Sequence, residues 1–183
     1  MRRTGLFAAG LLDAHVERLA RLREAYDSGL EKLVSSHNDP VPSNILFDGN
    51  RLWMIDWESA YRNDPLVDIA IVLDNLARSP ELEEILLRTW LGHAPNEAIR
   101  LRLALTRALT RLYYAGVLLS ASAAAGRASP DPDLAAPTQQ GLAQAIREGR
   151  LEAGTPATKH VLGKMFLASF LSGEMPPGLG AAV

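Results

Sequence analysis

The sequence predicts a mainly α-helical fold carrying one small β-hairpin, and three observations lead there. Apolar residues recur at three- and four-residue steps through most of the 183 positions. A single stretch, residues 44–55, instead sets two short β-type runs around an Asp-Gly-Asn turn. The make-up, 48% hydrophobic and 22% charged, is that of a folded domain rather than a disordered or fibrous chain.

The first helix is predicted over residues 11–34, where Leu11, Leu12, Val16, Leu19, Leu22, Leu30 and Leu33 alternate with Glu17, Arg18, Arg21 and Arg23. Pro40 and Pro42 then forbid regular structure, because each fixes φ and lacks an N–H, so residues 36–44 form a rigid loop. The hairpin follows as 44–47 and 51–55, and Asp56 emerges at the end of its second strand. From Leu66 the pattern is helical again through Leu76. Ser79 is placed to cap a helix that opens on Pro80 and runs to Leu91, where Gly92 ends it. A long helix is predicted over 95–122, with Ile99, Leu101, Leu103, Leu105, Leu109, Leu112, Tyr113, Val117 and Leu118 on its apolar side. Pro130, Pro132 and Pro137 make 126–137 a mobile loop, helices follow at 139–148 and 156–172, and 174–183 reads as a flexible tail. Residues 1–183 are expected to form one domain.

Several function classes are disfavoured. The net charge of −2 and the lack of any run of five or six like charges argue against a nucleic-acid partner. With no cysteine there is neither a disulfide framework nor a Cys-based zinc site. No transmembrane span is predicted, since the longest apolar stretch, 112–125, falls short of the roughly 20 residues needed. Asp13, His15 and Glu17 interrupt the N-terminal apolar stretch too early for a signal peptide, and a cytoplasmic location is expected.

Chemistry concentrates in residues 36–58. Asp39 lies five residues before Asn44, and Asp56 closes the apolar run 52–55. Phosphoryl transfer to a hydroxyl needs a carboxylate to orient the hydroxyl and accept its proton, plus oxygen ligands that set Mg²⁺ against the phosphates. Mg²⁺ is a hard cation, so an Asp and an Asn amide oxygen suit it better than imidazole or sulfur. Taken singly, Asp39, Asn44 and Asp56 can each also be a turn residue, and His37 reads as structural rather than chemical.

Together, Ser36-His37-Asn38-Asp39-Pro40-Val41-Pro42-Ser43-Asn44-Ile45-Leu46, Trp53-Met54-Ile55-Asp56-Trp57-Glu58 and Asn63-Asp64-Pro65-Leu66-Val67-Asp68-Ile69-Ala70 resemble the aminoglycoside phosphotransferase and choline/ethanolamine kinase family. The resemblance is strongest over residues 33–76. It implies the C-terminal lobe of a protein-kinase-like fold, with ATP and Mg²⁺ as cofactors and a small-molecule alcohol as substrate. It further implies Asp39 as catalytic base, Asn44 and Asp56 as nucleotide-side metal ligands, His37 as a brace of the catalytic loop and Asp68 as the carboxylate that hydrogen-bonds that loop. Kinases of this family also carry an N-terminal lobe with a phosphate-covering loop and a strand lysine. The 36 residues before His37 read as helix, hold no Gly-rich loop and contain Lys32 alone, so that lobe is expected to be absent.

Two consequences follow. A chain without a covering lobe is expected to be weakly active or inactive, and its alternative role is that of a non-catalytic, pseudokinase-type binding module. The face left uncovered is expected to be apolar and to drive homodimerisation. Glu58 and Trp57, two and one residues after Asp56, are the candidate acceptor contacts. A wider set, Trp57, Tyr61, Trp90, Tyr113 and Tyr114 with Glu58, Asp64 and Asp74, fits a quaternary-ammonium cage, although aromatics filling the core are the favoured reading. His15, His93 and His160 lack metal-ligand spacing and receive no role.

Overall fold

The computed structural model of the chain describes residues 5–26, 33–77, 79–125 and 130–173. Lys32, the tail from 174 and the 126–129 part of the expected mobile loop lie outside the described residues. Helices dominate: α1 (Asp13–Ala25), α2 (Leu66–Leu76), α3 (Pro80–Leu91), α4 (Glu97–Ala124), α5 (Gln139–Arg147) and α6 (Pro156–Ser172). Four three-residue strands form two antiparallel pairs. Strand β2 (Ile45–Phe47) pairs with β3 (Leu52–Met54), and β1 (Val34–Ser36) pairs with β4 (Tyr61–Asn63). The described residues fall into two compact units, one within Met1–Ala25 and Arg111–Pro176, the other within Tyr26–Thr110.

The first correction concerns β1. The helical pattern drawn to Val34 ends at Ala25, and Val34, Ser35 and Ser36 pair with Asn63, Arg62 and Tyr61. Three residues carry no readable period of two, and this pair exists because of its partner 25 to 29 residues away rather than because of local propensity.

In the unit holding β1 to β4, Leu66, Ile69, Ala70 and Leu73 of α2 pack with Leu87 of α3 and Leu103 of α4. The turn into α3 follows the capping chemistry of its sequence. Ser79 Oγ accepts from Leu82 N at 3.2 Å, Pro80 occupies the first turn, and Gly92 closes the helix at φ 75°, where a side chain would be strained. Arg107 of α4 holds Asp74 at 2.5 Å and Glu83 at 2.9 Å, and these two carboxylates push its guanidinium pKa upward against the opposing effect of burial.

The other unit is built around α6, whose Leu162, Met165, Leu167 and Phe170 are almost wholly buried. Gly163 matters for packing here, because a Cβ would lie 2.5 Å from Leu119 Cγ. Helix α1 meets α6 with two polar bonds, and His15 lies on the face that also carries the half-buried Leu12, Leu19 and Leu22. His15 is the buried residue of α1, its Nε2 at 3.2 Å from Leu167 O, while Val16 is exposed and Arg18 donates to Leu171 O at 2.9 Å. Burial lowers the His15 pKa, the bond to Leu167 O opposing it. In the loop before α5, Asp131 is buried and accepts from Lys164 Nζ at 3.0 Å, with His160 Nε2 at 2.8 Å.

Helix α4 shows the second correction. Of the expected face, Leu101, Tyr113 and Val117 are exposed while Leu103 and Leu118 are buried, and the buried stripe also takes in Thr106, Ala108, Thr110, Arg111, Ala115 and Leu119. Thr106 and Thr110 are buried because their hydroxyls donate back to Arg102 O and Arg107 O, both at 2.9 Å. Threonine therefore counts as apolar here, and an apolar-only reading rotates the face.

Candidate active site

The loop 36–44 is anchored from below by α2. Asp68, in the first turn of that helix, accepts the backbone N–H of His37 at 2.8 Å and of Asn38 at 2.7 Å, one on each carboxylate oxygen. A carboxylate with two main-chain donors is a charge-assisted clamp, and it fixes where the loop leaves β1. Four residues earlier, Asp64 is buried and starts α2 by accepting from Leu66 N at 2.9 Å. Its other oxygen takes Tyr26 Oη and Arg102 Nη2, both at 2.6 Å. Burial and the bond to Asp64 push the Tyr26 hydroxyl up to about 12, so it stays a donor throughout the neutral range.

Within the loop, Asn44 turns back on Asp39. Its Nδ2 donates to Asp39 O at 3.0 Å and to Asp39 Oδ2 at 3.2 Å, and its own backbone carbonyl accepts from Ile55 N at 3.0 Å. The five-residue spacing read from the sequence is thus the span of a loop closed by an amide. Asn44 is buried, whereas Asp39 is half-buried. With Nδ2 committed to Asp39, the Asn44 group suited to a cation is Oδ1.

Asp56 sits at φ 61°, ψ 64°, a left-handed conformation that an Asp tolerates better than most residues. It is exposed, and it opens the 3₁₀ turn Trp57–Ser59 in which Ala60 N donates to Trp57 O. His37 reaches this turn from the loop. The backbone N–H of Asp39 donates to His37 Nδ1 at 3.3 Å, which assigns the ring proton to Nε2 and makes Nε2 the donor to Ile55 O at 2.8 Å. The imidazole also lies 4.7 Å from the Trp57 ring. His37 therefore links the residue just before Asp56 to the backbone of Asp39.

Asn38 is not among the candidate site residues that the sequence marks, yet it is buried and sits at φ 65°. Its Nδ2 lies 3.1 Å from Ser36 O, 3.0 Å from Ser59 O and 3.4 Å from Tyr61 O, and its Oδ1 accepts from Asn63 Nδ2 at 2.7 Å. A signal existed: an Asn inside a Pro-rich loop is among the few non-glycine residues that take a left-handed turn readily.

The structure overturns the core-filling reading of the aromatic set. Trp57, Tyr61, Trp90 and Tyr113 are exposed, and only Tyr114 of the five is packed, stacking on Phe166 at 5.6 Å. The carboxylates proposed beside them divide: Glu58 is exposed, while Asp64 and Asp74 are spent on Arg102 and Arg107. The hairpin is apolar and open, with Phe47, Leu52, Trp53, Met54 and Ile55 all exposed. Its turn is tied by Asp48, which accepts Trp53 Nε1 at 2.6 Å and the amides of Arg51 and Asn50 at 2.9 Å, bonds that hold its carboxyl below the ordinary range.

The donor set suits a hard divalent cation. Asn44 Oδ1 and the Asp56 carboxylate offer oxygen atoms that could ligate such an ion, and no group of three or more His, Asp and Glu side chains gathers among the described residues. Few protein ligands are what Mg²⁺ takes when phosphate oxygens and water complete its octahedron.

The model of a family described as the phosphotransferase enzyme family matches residues 2–104. The chain is 46% identical over 54 residues to Protein LicA of Haemophilus influenzae, a match covering 30% of this chain and 20% of LicA. It is 34% identical over 68 residues to an uncharacterized protein of Metamycoplasma hominis, covering 37% and 14% of the two chains. A crystal structure of a choline/ethanolamine kinase family protein from Mesorhizobium loti superposes with a TM-score of 0.55 at 24% identity, over 87% of this chain and 52% of that one. The chain thus spans about half the length of that neighbour and matches a smaller share of the curated relatives.

Proposed function

We propose, from the premise that this chain belongs to the phosphotransferase enzyme family, that its 36–59 region binds ATP with Mg²⁺ and transfers the γ-phosphoryl group to a small-molecule hydroxyl. The acceptor class we assign is choline/ethanolamine-like or aminoglycoside-like, the former supported by the name of the Mesorhizobium loti neighbour. One observation carries the reading: His37 and Asn44 tie the Asp39 loop to the backbone at Ile55, beside Asp56.

In this reading Asp39 orients the acceptor hydroxyl and takes its proton, held in place by the Asn44 amide and by the bond from its own N–H to His37. Asn44 and Asp56 would hold Mg²⁺, which when bound neutralises charge on the phosphates. Glu58 and Trp57, both exposed beyond Asp56, stand where an acceptor could be met. The exposure of Asp56, Ile55 and Trp57 leaves the site open to water. Solvent screening there weakens the electrostatic stabilisation on which phosphoryl transfer depends, so the chain by itself is expected to turn over slowly.

Thermal unfolding with ATP and Mg²⁺ tests this. A ligand at a hundredfold excess over its Kd stabilises by about 2.7 kcal/mol, roughly 5–10 °C for a chain of this size. Wild type is expected to show such a shift and Asp56→Ala to lose it; a wild type indifferent to ATP and Mg²⁺ would reject the reading. The exposed apolar hairpin supports a second role as an association surface, which light scattering would reveal as a homodimer that Phe47→Ser disperses.

A further inference from the structure

Asp56 is carried on a short arch of backbone, residues 55–59, and both feet of that arch are held by neighbouring residues of the Asp39 loop. His37 Nε2 donates to Ile55 O at 2.8 Å, one residue before Asp56. Asn38 Nδ2 donates to Ser59 O at 3.0 Å, three residues after it. Between these feet Asp56 makes no capping bond with its own side chain and holds a left-handed backbone conformation. The conformation is thus imposed from outside, as an off-minimum backbone requires.

Asn38 is suited to this task in every group it owns. Its backbone N–H is taken by Asp68 at 2.7 Å, its Oδ1 by Asn63 Nδ2 at 2.7 Å, and its Nδ2 by Ser36 O and Ser59 O. Asn63 in turn uses its Oδ1 to accept from Asp64 N at 2.9 Å, so the amide pair is continuous with the start of α2. Such a buried side chain, with its donors and acceptor all engaged, has little freedom to drift.

We propose that Asn38, supported by Asn63, is a positioning residue that sets Asp56 against Asp39, and that its loss is felt first in the Mg²⁺ dependence of nucleotide binding. This rests on the proposed nucleotide site. Residues that orient a metal ligand without touching the metal typically change metal affinity by 10- to 100-fold when removed.

Asn38→Gly is the informative variant, because glycine keeps the left-handed turn while deleting the amide. Two measurements on the full chain decide the matter. In hydrogen exchange without ligand, the Ala60 amide, which closes the Trp57–Ser59 turn by donating to Trp57 O, is expected to exchange at least about tenfold faster, with the amides of α2 and α4 unchanged. In thermal shift with ATP, the Mg²⁺ concentration giving half the stabilisation is expected to rise at least about tenfold. Asn63→Asp, which removes the donor to Asn38 but keeps an acceptor for Asp64 N–H, is expected to give a smaller shift in the same direction. Unchanged exchange at Ala60 overturns the clamp. A fall in melting temperature with an unaltered Mg²⁺ midpoint overturns the positioning role and leaves a structural one. A wild type that ATP and Mg²⁺ fail to stabilise overturns the reading of the site instead, and Ala60 exchange still passes or fails the clamp.

Discussion

Helix α6 and the loop-and-hairpin region around Asp39 hold their shapes by different means. In α6, Leu162, Met165, Phe166, Leu167 and Phe170 are buried, and Gly163 allows Leu119 to close to van der Waals distance. In the hairpin, Leu46, Phe47, Leu52, Trp53 and Met54 are equally apolar but exposed. What fixes the chain around the hairpin is polar: Asp68 on two amides, Asn44 on Asp39, His37 on Ile55, Asn38 on Ser59, Asp48 on its own turn. Packing fixes volume and tolerates small slides, whereas hydrogen bonds fix individual atoms. The proposed site, which would place two carboxylates and an amide, calls for the second kind.

That contrast orders the mutational effects. Phe170→Ala, at a fully buried side chain, is expected to cost the most, about 3–5 kcal/mol in urea unfolding, and a value under 1 kcal/mol would mean that α6 is not the packed element described. Asp68→Ala should come next, at roughly 2–4 kcal/mol, because two main-chain N–H groups lose a charged acceptor together. A loss near zero would show that the loop holds itself.

The third effect is an acid response of the packed unit. Burial pushes the Asp131 carboxyl up, but hydrogen bonds from His160 and Lys164 outweigh it and bring it to about 2. Its folded pKa lies below the ordinary value of 3.8, so the unfolded state binds the proton more readily and stability falls as the pH drops. The contribution is fully present above about pH 4 and fades as the pH approaches 2. Urea midpoints between pH 5 and 2 should therefore slope less steeply in Asp131→Asn than in wild type; equal slopes would remove Asp131 from the account. Phe47→Ser at the open hairpin is expected to have the smallest effect, within about 0.5 kcal/mol at protein concentrations too dilute for association, and a larger loss there would mean that Phe47 packs against its own chain.

Much of this was legible in the sequence where the cause is local. Ser79, Pro80 and Gly92 mark α3 to the residue, since caps act within one turn. The hairpin follows from Asp48 and Gly49, and α5 and α6 begin where Gln139 and Pro156 do. What was not legible depends on distant partners. Strand β1 needs β4, and His15 and Arg18 of α1 find Leu167 O and Leu171 O on α6; Thr106 and Thr110 are a local exception, polar by residue type yet buried because they bond their own helix. In the site, Asp39, Asn44, Asp56 and His37 stand out by spacing and residue type, and the structure joins Asn44 to Asp39 and His37 to the residue before Asp56. Asn38 does not stand out, because its role appears only once Ser59 and Asn63 are brought beside it.

If the Asp39 loop and the Asp56 arch form one Mg²⁺-nucleotide site, as proposed, Asp39 serves the acceptor and Asp56 the metal. Isothermal titration of ATP, in excess Mg²⁺ and then in chelator, with wild type, Asp39→Asn and Asp56→Ala tests it most directly. Wild type and Asp39→Asn are expected to bind alike and only with Mg²⁺, because Asp39 serves the acceptor, while Asp56→Ala is expected to lose at least about tenfold in affinity. Binding to Asp56→Ala as tight as to wild type, or binding that ignores the chelator, would contradict it.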